Sequence, residues 1–210
     1  MIRMLMFRHA ESEKNLRHDI VTGRCSDSPL SANGIVQARS LGLRFMLDSY
    51  KPSWVFMSPA IRCLQTHDMA LMVAGLNIRL TKIDDDLQEL DQGIAGNKPR
   101  SEMYDTETIK KINADSLNFK FEGGESQAEV EQRMMRFLKR VENLNIEKGI
   151  VDVLVFSHGL ALRCLLRGIL DYPAKNNFFH IINLENAHAM ELVFEDMYGK
   201  WKLSRYNVKC

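Results

Sequence analysis

Six short apolar runs, at residues 2–7, 54–57, 78–81, 152–156, 190–194 and 201–205, alternate along the chain with longer stretches of helical period. That rhythm predicts an α/β protein with a largely parallel sheet. The helices have clearer signals than the strands. Ser31 can cap a helix in which Ile35, Ala38, Leu41, Phe45 and Met46 recur at helical spacing. Ser58-Pro59 reads as a second start, a cap hydroxyl followed by proline at the first helical position. Val130, Met134, Phe137, Leu138 and Val141 form an apolar stripe, which leaves Glu131, Arg133, Arg136 and Lys139 for solvent. Residues 160–170 are apolar nearly all round and predict a buried helix.

The chain has 210 residues, enough for one domain with a real core, and its 45% hydrophobic and 26% charged content is ordinary for a globular protein. A net charge of +1 supplies no general pull toward nucleic acid or an anionic membrane, so neither is expected as a partner. Any anion site must then be a local cluster of basic groups. Cys25, Cys63, Cys164 and Cys210 are scattered without a C-x-x-C pair, which favours a reducing, cytoplasmic setting. The apolar start, residues 1–7, is too short for a signal-peptide core, and no apolar run is long enough to span a bilayer. Neither repeats nor low-complexity tracts occur.

Residues 91–126 fit neither pattern. They contain glycines, Pro99 and only a weak helical signal at 106–112. The stretch reads either as a surface excursion or as a lid or specificity segment over a site. Lys98 and Arg100 within it could meet a substrate carboxylate or second phosphate, or form a solvent-facing pair.

Three candidate strands end in residues capable of chemistry. The first runs into Arg8-His9, the second into Ser58-Pro59-Ala60-Ile61-Arg62, and the fourth into Ser157-His158-Gly159. In open α/β sheets ligands bind beyond the carboxyl ends of strands, so parallel neighbours would bring two arginines and two histidines together there. Helix starts would add N–H donors and a positive dipole end. Phosphate suits such a site, since an arginine fork takes two of its oxygens. A neutral imidazole with its other nitrogen held as N–H can attack phosphorus, and a nearby arginine disfavours the imidazolium. Each piece alone has a bland reading, as a surface pair, a turn or a helix start. Their coincidence at three strand ends is what points to phosphoryl transfer.

The chain also resembles a known family. Arg8-His9-Ala10-Glu11-Ser12-Glu13-Lys14-Asn15 is similar to the R-H-G-E-[ST]-x-x-N opening of the histidine phosphatase, or phosphoglycerate mutase-like, superfamily. Thr22-Gly23, Ser28-Pro29-Leu30-Ser31 with Gly34 and Gln37-Ala38, Ser58-Pro59 with Arg62 and Gln65-Thr66, Leu87-Gln88-Glu89, Gly123-Gly124-Glu125-Ser126 and Ser157-His158-Gly159 resemble its later blocks in order. The resemblance implies a three-layer α/β/α sandwich over 1–210 as a single domain, with a lid or specificity insertion at 91–126. It implies that His9 is phosphorylated and that Arg8, Arg62 and His158 hold the phosphoryl group, with Asn15 and the Gly159 N–H assisting. Glu89 would protonate the leaving oxygen and then activate water, and Thr22 and Gly23 would border the substrate.

Two departures stand out. Ala10 replaces the usual glycine, adding a methyl near the nucleophile, and Arg24 stands where mutases carry tryptophan, adding a cation near the entrance. The segment between Glu89 and His158 is shorter than in typical mutases and lacks an adjacent Arg-Arg pair. The expected function is therefore a metal-independent phosphatase acting on small phosphomonoesters without a cofactor. A phosphoglycerate mutase, which would need 2,3-bisphosphoglycerate, is the alternative. A silent protein-binding module is the reading from another class, disfavoured because all five catalytic candidates are present. His18, His67, His180 and His188 lack ligand spacing, so no metal site is expected, and Asp84-Asp85-Asp86 reads as a solvated turn.

Overall fold

The computed structural model describes residues 1–144, 150–173, 182–195, 197 and 199–209; His180 and Cys210 lie outside them. Six strands form one sheet in the order β3-β2-β4-β1-β5-β6. They are β1 (Ile2–Arg8), β2 (Trp54–Met57), β3 (Thr81–Ile83), β4 (Val151–Ser157), β5 (His188–Glu195) and β6 (Lys200–Lys209). β3, β2, β4 and β1 run parallel, and only β5 runs against the rest. The third strand lies later than the sequence run at 78–81, sharing only Thr81 with it. It is an exposed edge strand, so no buried apolar pattern marks it.

The period of two along the strands divides the interior into two cores. On β1, Ile2, Met4 and Met6 face one side while Phe7 faces the other; on β4, Val153 and Val155 oppose Leu154 and Phe156. Sheets buried on both faces need helices on both faces. The helices α1 (Ala32–Leu47) and α2 (Ile61–Ala74) cover the Phe7 side with Leu41, Phe45, Ala70 and Leu71. The other side is covered by α5 (Gln127–Glu142) and α6 (Gly159–Ile169), through Val130, Met134, Phe137, Leu162 and Leu165. The result is a three-layer α/β/α sandwich.

Ser31 caps α1 as its sequence suggests, accepting the Gly34 N–H at 3.0 Å. Ser58 does not cap α2. That helix begins at Ile61 with Ala60 at its N-cap, and the Ser58 hydroxyl is engaged instead by the ring of His158. The stripe on α5 is core-facing, yet Arg133 is buried with it at 4% exposure rather than solvated. Its neighbour Glu131 is ion-paired with Arg167 and also lies largely out of solvent. Residues 91–126 carry two helices, α3 (Arg100–Met103) and α4 (Thr106–Ala114). Asp84–86 is no solvated turn either. Asp84 accepts from Arg140 at 2.7 Å, and Asp86 accepts from Arg136 and Arg140 at 2.9 and 2.7 Å, fastening this turn to α5.

Candidate active site

Register brings the three strand ends level. Arg8 pairs with Ser157 across β1 and β4, and Met57 pairs with Phe156 across β2 and β4. Arg8-His9, Ser58 and Ser157-His158 therefore leave the sheet side by side, and the His9 N–H donates to the Ser157 carbonyl at 2.9 Å. Beyond them lies a cavity of about 230 Å³. Its lining includes Arg8, His9, Asn15, Arg62, Glu89 and Gly159, and Thr22 and Gly23 form part of its rim. His158 stands behind Arg62 and is itself buried.

Both imidazoles have their tautomers set by partners that can play only one part. The Ala10 carbonyl, 2.7 Å from His9 Nδ1, can only accept, so Nδ1 carries the proton. His9 Nε2 is the unprotonated nitrogen, and its lone pair accepts from Arg62 Nε at 3.1 Å. In His158 the order is reversed. Nδ1 accepts from Arg62 Nη2 at 2.9 Å, and Nε2–H donates to Ser58 Oγ at 2.8 Å. Burial, then the charges of Arg62 and Arg8, push His9 well below the usual imidazole range. For His158 burial again comes first, followed by Arg62. Both rings are neutral near pH 7. Cys63 lies near His158, but burial pushes its thiol up to about 12, which leaves it inert as a nucleophile.

Arg62 is fixed from four directions. Besides the two imidazoles, it donates to the Cys25 carbonyl and, at 3.2 Å, to the Gly23 carbonyl. Gly23 has φ +137, and a Cβ there would stand 2.7 Å from the Leu90 carbonyl oxygen, so the rim needs glycine at this point. Arg8 donates to the Leu184 carbonyl at 2.8 Å, while its buried Nε–H has no partner among the described residues. Burial pulls this guanidinium down from its ordinary range. An incoming oxyanion would satisfy both the orphaned donor and the clustered charge. Gly159 leaves room for this side chain, since a Cβ would lie 3.3 Å from Arg8 Nε.

Glu89 forms part of the cavity wall, and its carboxylate accepts from three backbone N–H groups: Leu90 at 2.9 Å, Ala161 at 3.1 Å and Leu160 at 3.1 Å. The last two belong to the first turn of α6, where carboxylates are favoured by orphan donors and the dipole. Asn15 accepts through Oδ1 from Ser12 and from Asn186 Nδ2, the latter at 3.2 Å.

Several residues of the sequence blocks act around the cavity rather than in it. Glu11 accepts from Ser31 Oγ at 2.6 Å and from Asn33, and its N–H donates to Gln37. Thr66 accepts the Ala10 N–H at 3.0 Å, and Gln65 accepts that of Leu30 at 2.8 Å. The extra methyl of Ala10 packs with Leu30, Ala38 and Ala187, away from the cavity, and does not crowd it. Arg24 does not add charge to the entrance. It is turned onto Glu125 at 2.5 Å and Asp91 at 3.6 Å. Of Lys98 and Arg100, Arg100 lines the cavity and Lys98 does not.

Asn186 was invisible to sequence reasoning, yet it donates to the His9 carbonyl at 3.0 Å. Ala187, at φ +57, returns its N–H to the Arg8 carbonyl. The only local signal was a Glu-Asn-Ala stretch before a strand, which reads as an ordinary turn. Among the described residues no group of three His, Cys, Asp or Glu side chains gathers to hold a metal ion. No described helix is long and apolar enough to cross a membrane.

A sandwich of this topology, with two neutral histidines and two arginines gathered beyond its strand ends, defines an oxyanion-handling α/β protein. The chain matches the histidine phosphatase superfamily (branch 1) over residues 4–209 and belongs to that superfamily. Its members are phosphoryl-transfer enzymes, phosphatases and mutases, and this chain is an enzyme of that kind. Over 176 residues it is 30% identical to a Salmonella paratyphi C protein named probable phosphoglycerate mutase GpmB, covering 83% of this chain and 77% of that one. Bacillus stearothermophilus YhfR superposes with a TM-score of 0.84 at 20% identity, over 99% of this chain and 97% of the other. A mycobacterial glucosyl-3-phosphoglycerate phosphatase gives 0.80 at 20% identity, over 98% of each. At such identities the two structural likenesses concern the fold.

Proposed function

We propose that the protein is a metal-independent phosphatase that hydrolyses small phosphomonoesters through a phosphohistidine on His9. The observation that carries this reading is Arg62 between two neutral imidazoles of opposite tautomer, with His9 lining the cavity and Nε2 its unprotonated nitrogen, which Arg62 releases to the incoming phosphoryl group. In the first half-reaction Nε2 attacks phosphorus and the ester P–O bond breaks. A proton on Glu89 passes to the leaving oxygen. In the second, water attacks the phosphohistidine, its proton goes to Glu89, the N–P bond breaks and inorganic phosphate leaves. Arg8 and Arg62 hold the equatorial oxygens and supply the charge stabilisation that phosphoryl transfer requires, while His158, buried with both ring nitrogens engaged, holds Arg62 in place from behind. Asn15 and the Gly159 N–H assist on the same oxygens, and Thr22 and Gly23 border the leaving group.

Selectivity belongs to 91–126, which acts as a lid or specificity segment on a single domain. Its supporting feature is Arg100, which lines the cavity and has no carboxylate partner among the described residues. A mutase is the second reading, favoured by the name of the Salmonella relative. Against it stands the lack of an adjacent Arg-Arg pair between Glu89 and His158. A phosphomonoester panel, run beside a mutase assay with and without 2,3-bisphosphoglycerate, separates them. Release of inorganic phosphate without isomerised phosphoglycerate supports the phosphatase. Isomerisation that outpaces phosphate release and depends on the bisphosphate overturns it.

A further inference from the structure

We propose that Arg133, together with Glu125, is a positioning residue for Glu89: a buried arginine fork that fixes the backbone on which the reaction's acid–base group is carried. The inference rests on the acid–base reading of Glu89. Arg133 sits in the middle of α5, and each of its five N–H donors has an acceptor. Nη1 donates to the carbonyls of Asp86 and Gln88 at 2.7 and 2.6 Å. Nη2 donates to the Glu89 carbonyl at 3.1 Å, and the other two bonds go to the Glu125 carboxylate, both at 3.1 Å. The remaining carbonyl of this turn, that of Leu87, accepts from Ser157 Oγ at 2.7 Å. All four carbonyls from Asp86 to Glu89 are thereby tied down.

Glu125 ties a second donor into the same place. It accepts Arg24 Nη2 at 2.5 Å, and Arg24 Nε reaches the Glu89 carbonyl at 3.2 Å. Burial pushes the Glu125 carboxyl up, but Arg133, the Asp91 N–H and Arg24 together hold it below the usual carboxylate range. Glu89 is thus suspended between two helices. Its carbonyl is held from α5, and its carboxylate is held by the first turn of α6. A side chain that served packing alone would be apolar on this arc, as Val130, Met134 and Phe137 are, since a buried ion pair by itself adds little stability. What the fork adds is aim. Misplacing a catalytic group by about 1 Å can cost about a hundredfold in rate.

The test compares an alkyl phosphate, whose leaving oxygen needs a proton, with an aryl phosphate, whose leaving group needs little. In Arg133→Met the ratio of kcat/KM for the alkyl over the aryl ester should fall by about tenfold or more, with Arg133→Lys intermediate because it keeps the charge but not the fork. Added to Glu89→Gln, Arg133→Met should change that ratio by no more than about twofold, because both act through one group. Should Arg133→Met not fold, Arg133→Lys and Glu125→Gln carry the same comparison. Equal losses on both esters, or a full further drop in the Glu89→Gln background, would overturn the positioning role while a selective Glu89→Gln still upheld the acid. A Glu89→Gln variant without ester selectivity would overturn the acid role, and this inference with it.

Discussion

At the scale of single residues, the site depends on which nitrogen carries each proton. The Ala10 carbonyl and the Arg62 guanidinium leave His9 one neutral form, with its lone pair on Nε2. The sign of the pH dependence follows. Both rings lie well below the ordinary imidazole value of about 6.5, so as pH falls through that value an unfolded histidine takes up a proton that the folded one refuses. His9 and His158 therefore contribute a loss of stability that grows from about pH 6.5 downward, until the folded rings themselves protonate. Ring ¹⁵N NMR should show His9 as the Nδ1–H and His158 as the Nε2–H tautomer, neither titrating near the ordinary imidazole value of about 6.5. A ring that titrates near its ordinary value would remove the account of a neutral nucleophile. Arg62→Lys should lower kcat/KM by about a hundredfold or more, because a lysine cannot span two imidazoles and two carbonyls at once.

At the scale of elements, two close approaches place the loops around the cavity. The first turn of α1 lies against the segment after His9, and a Cβ on Gly34 would stand 1.9 Å from the Glu11 carbonyl oxygen. Gly34→Ala must displace one of them, and we expect the thermal midpoint and kcat to fall together, checked by calorimetry beside an aryl phosphate assay. The second approach concerns 91–126. Arg100 N–H donates to the Asp19 carbonyl, Val21 N–H to that of Lys98, and Asn97 N–H to that of Val21, at 2.8, 2.8 and 2.9 Å. This short ladder laces the segment to the cavity rim and holds Arg100 at the mouth. Arg100→Ala should raise KM severalfold for esters whose alcohol carries a carboxylate or second phosphate, and much less for glycerol phosphate. An equal rise on both would assign selectivity elsewhere.

At the scale of the molecule, the sheet with its two cores is what keeps the three strand ends level. Phe137, fully buried and edge-on to Phe56 at 5.3 Å, belongs to the larger core, and Phe137→Ala should cost about 3–5 kcal/mol by urea unfolding. Much of this architecture was legible, because β1, β2, β4 and α1 carry periodic apolar patterns and a cap. The strand-end histidines and arginines were legible as an anion site for the same reason. The partners that hold them were not, since pairings such as Asn186 with His9 or Ser58 with His158 span over 90 residues and leave no periodic trace. Arg133 did have a signal. It falls between Val130 and Phe137 on the arc that recurs every three or four residues, where its charge made it look solvated. Glu89 needed the family blocks, because an acid capping a helix from outside that helix has no local pattern. Everything in the account converges on a covalent bond to His9. Wild-type protein mixed briefly with a ³²P-labelled phosphomonoester and quenched should yield a base-stable, acid-labile phosphoprotein, and His9→Ala should yield none. Label that persists in His9→Ala would contradict it.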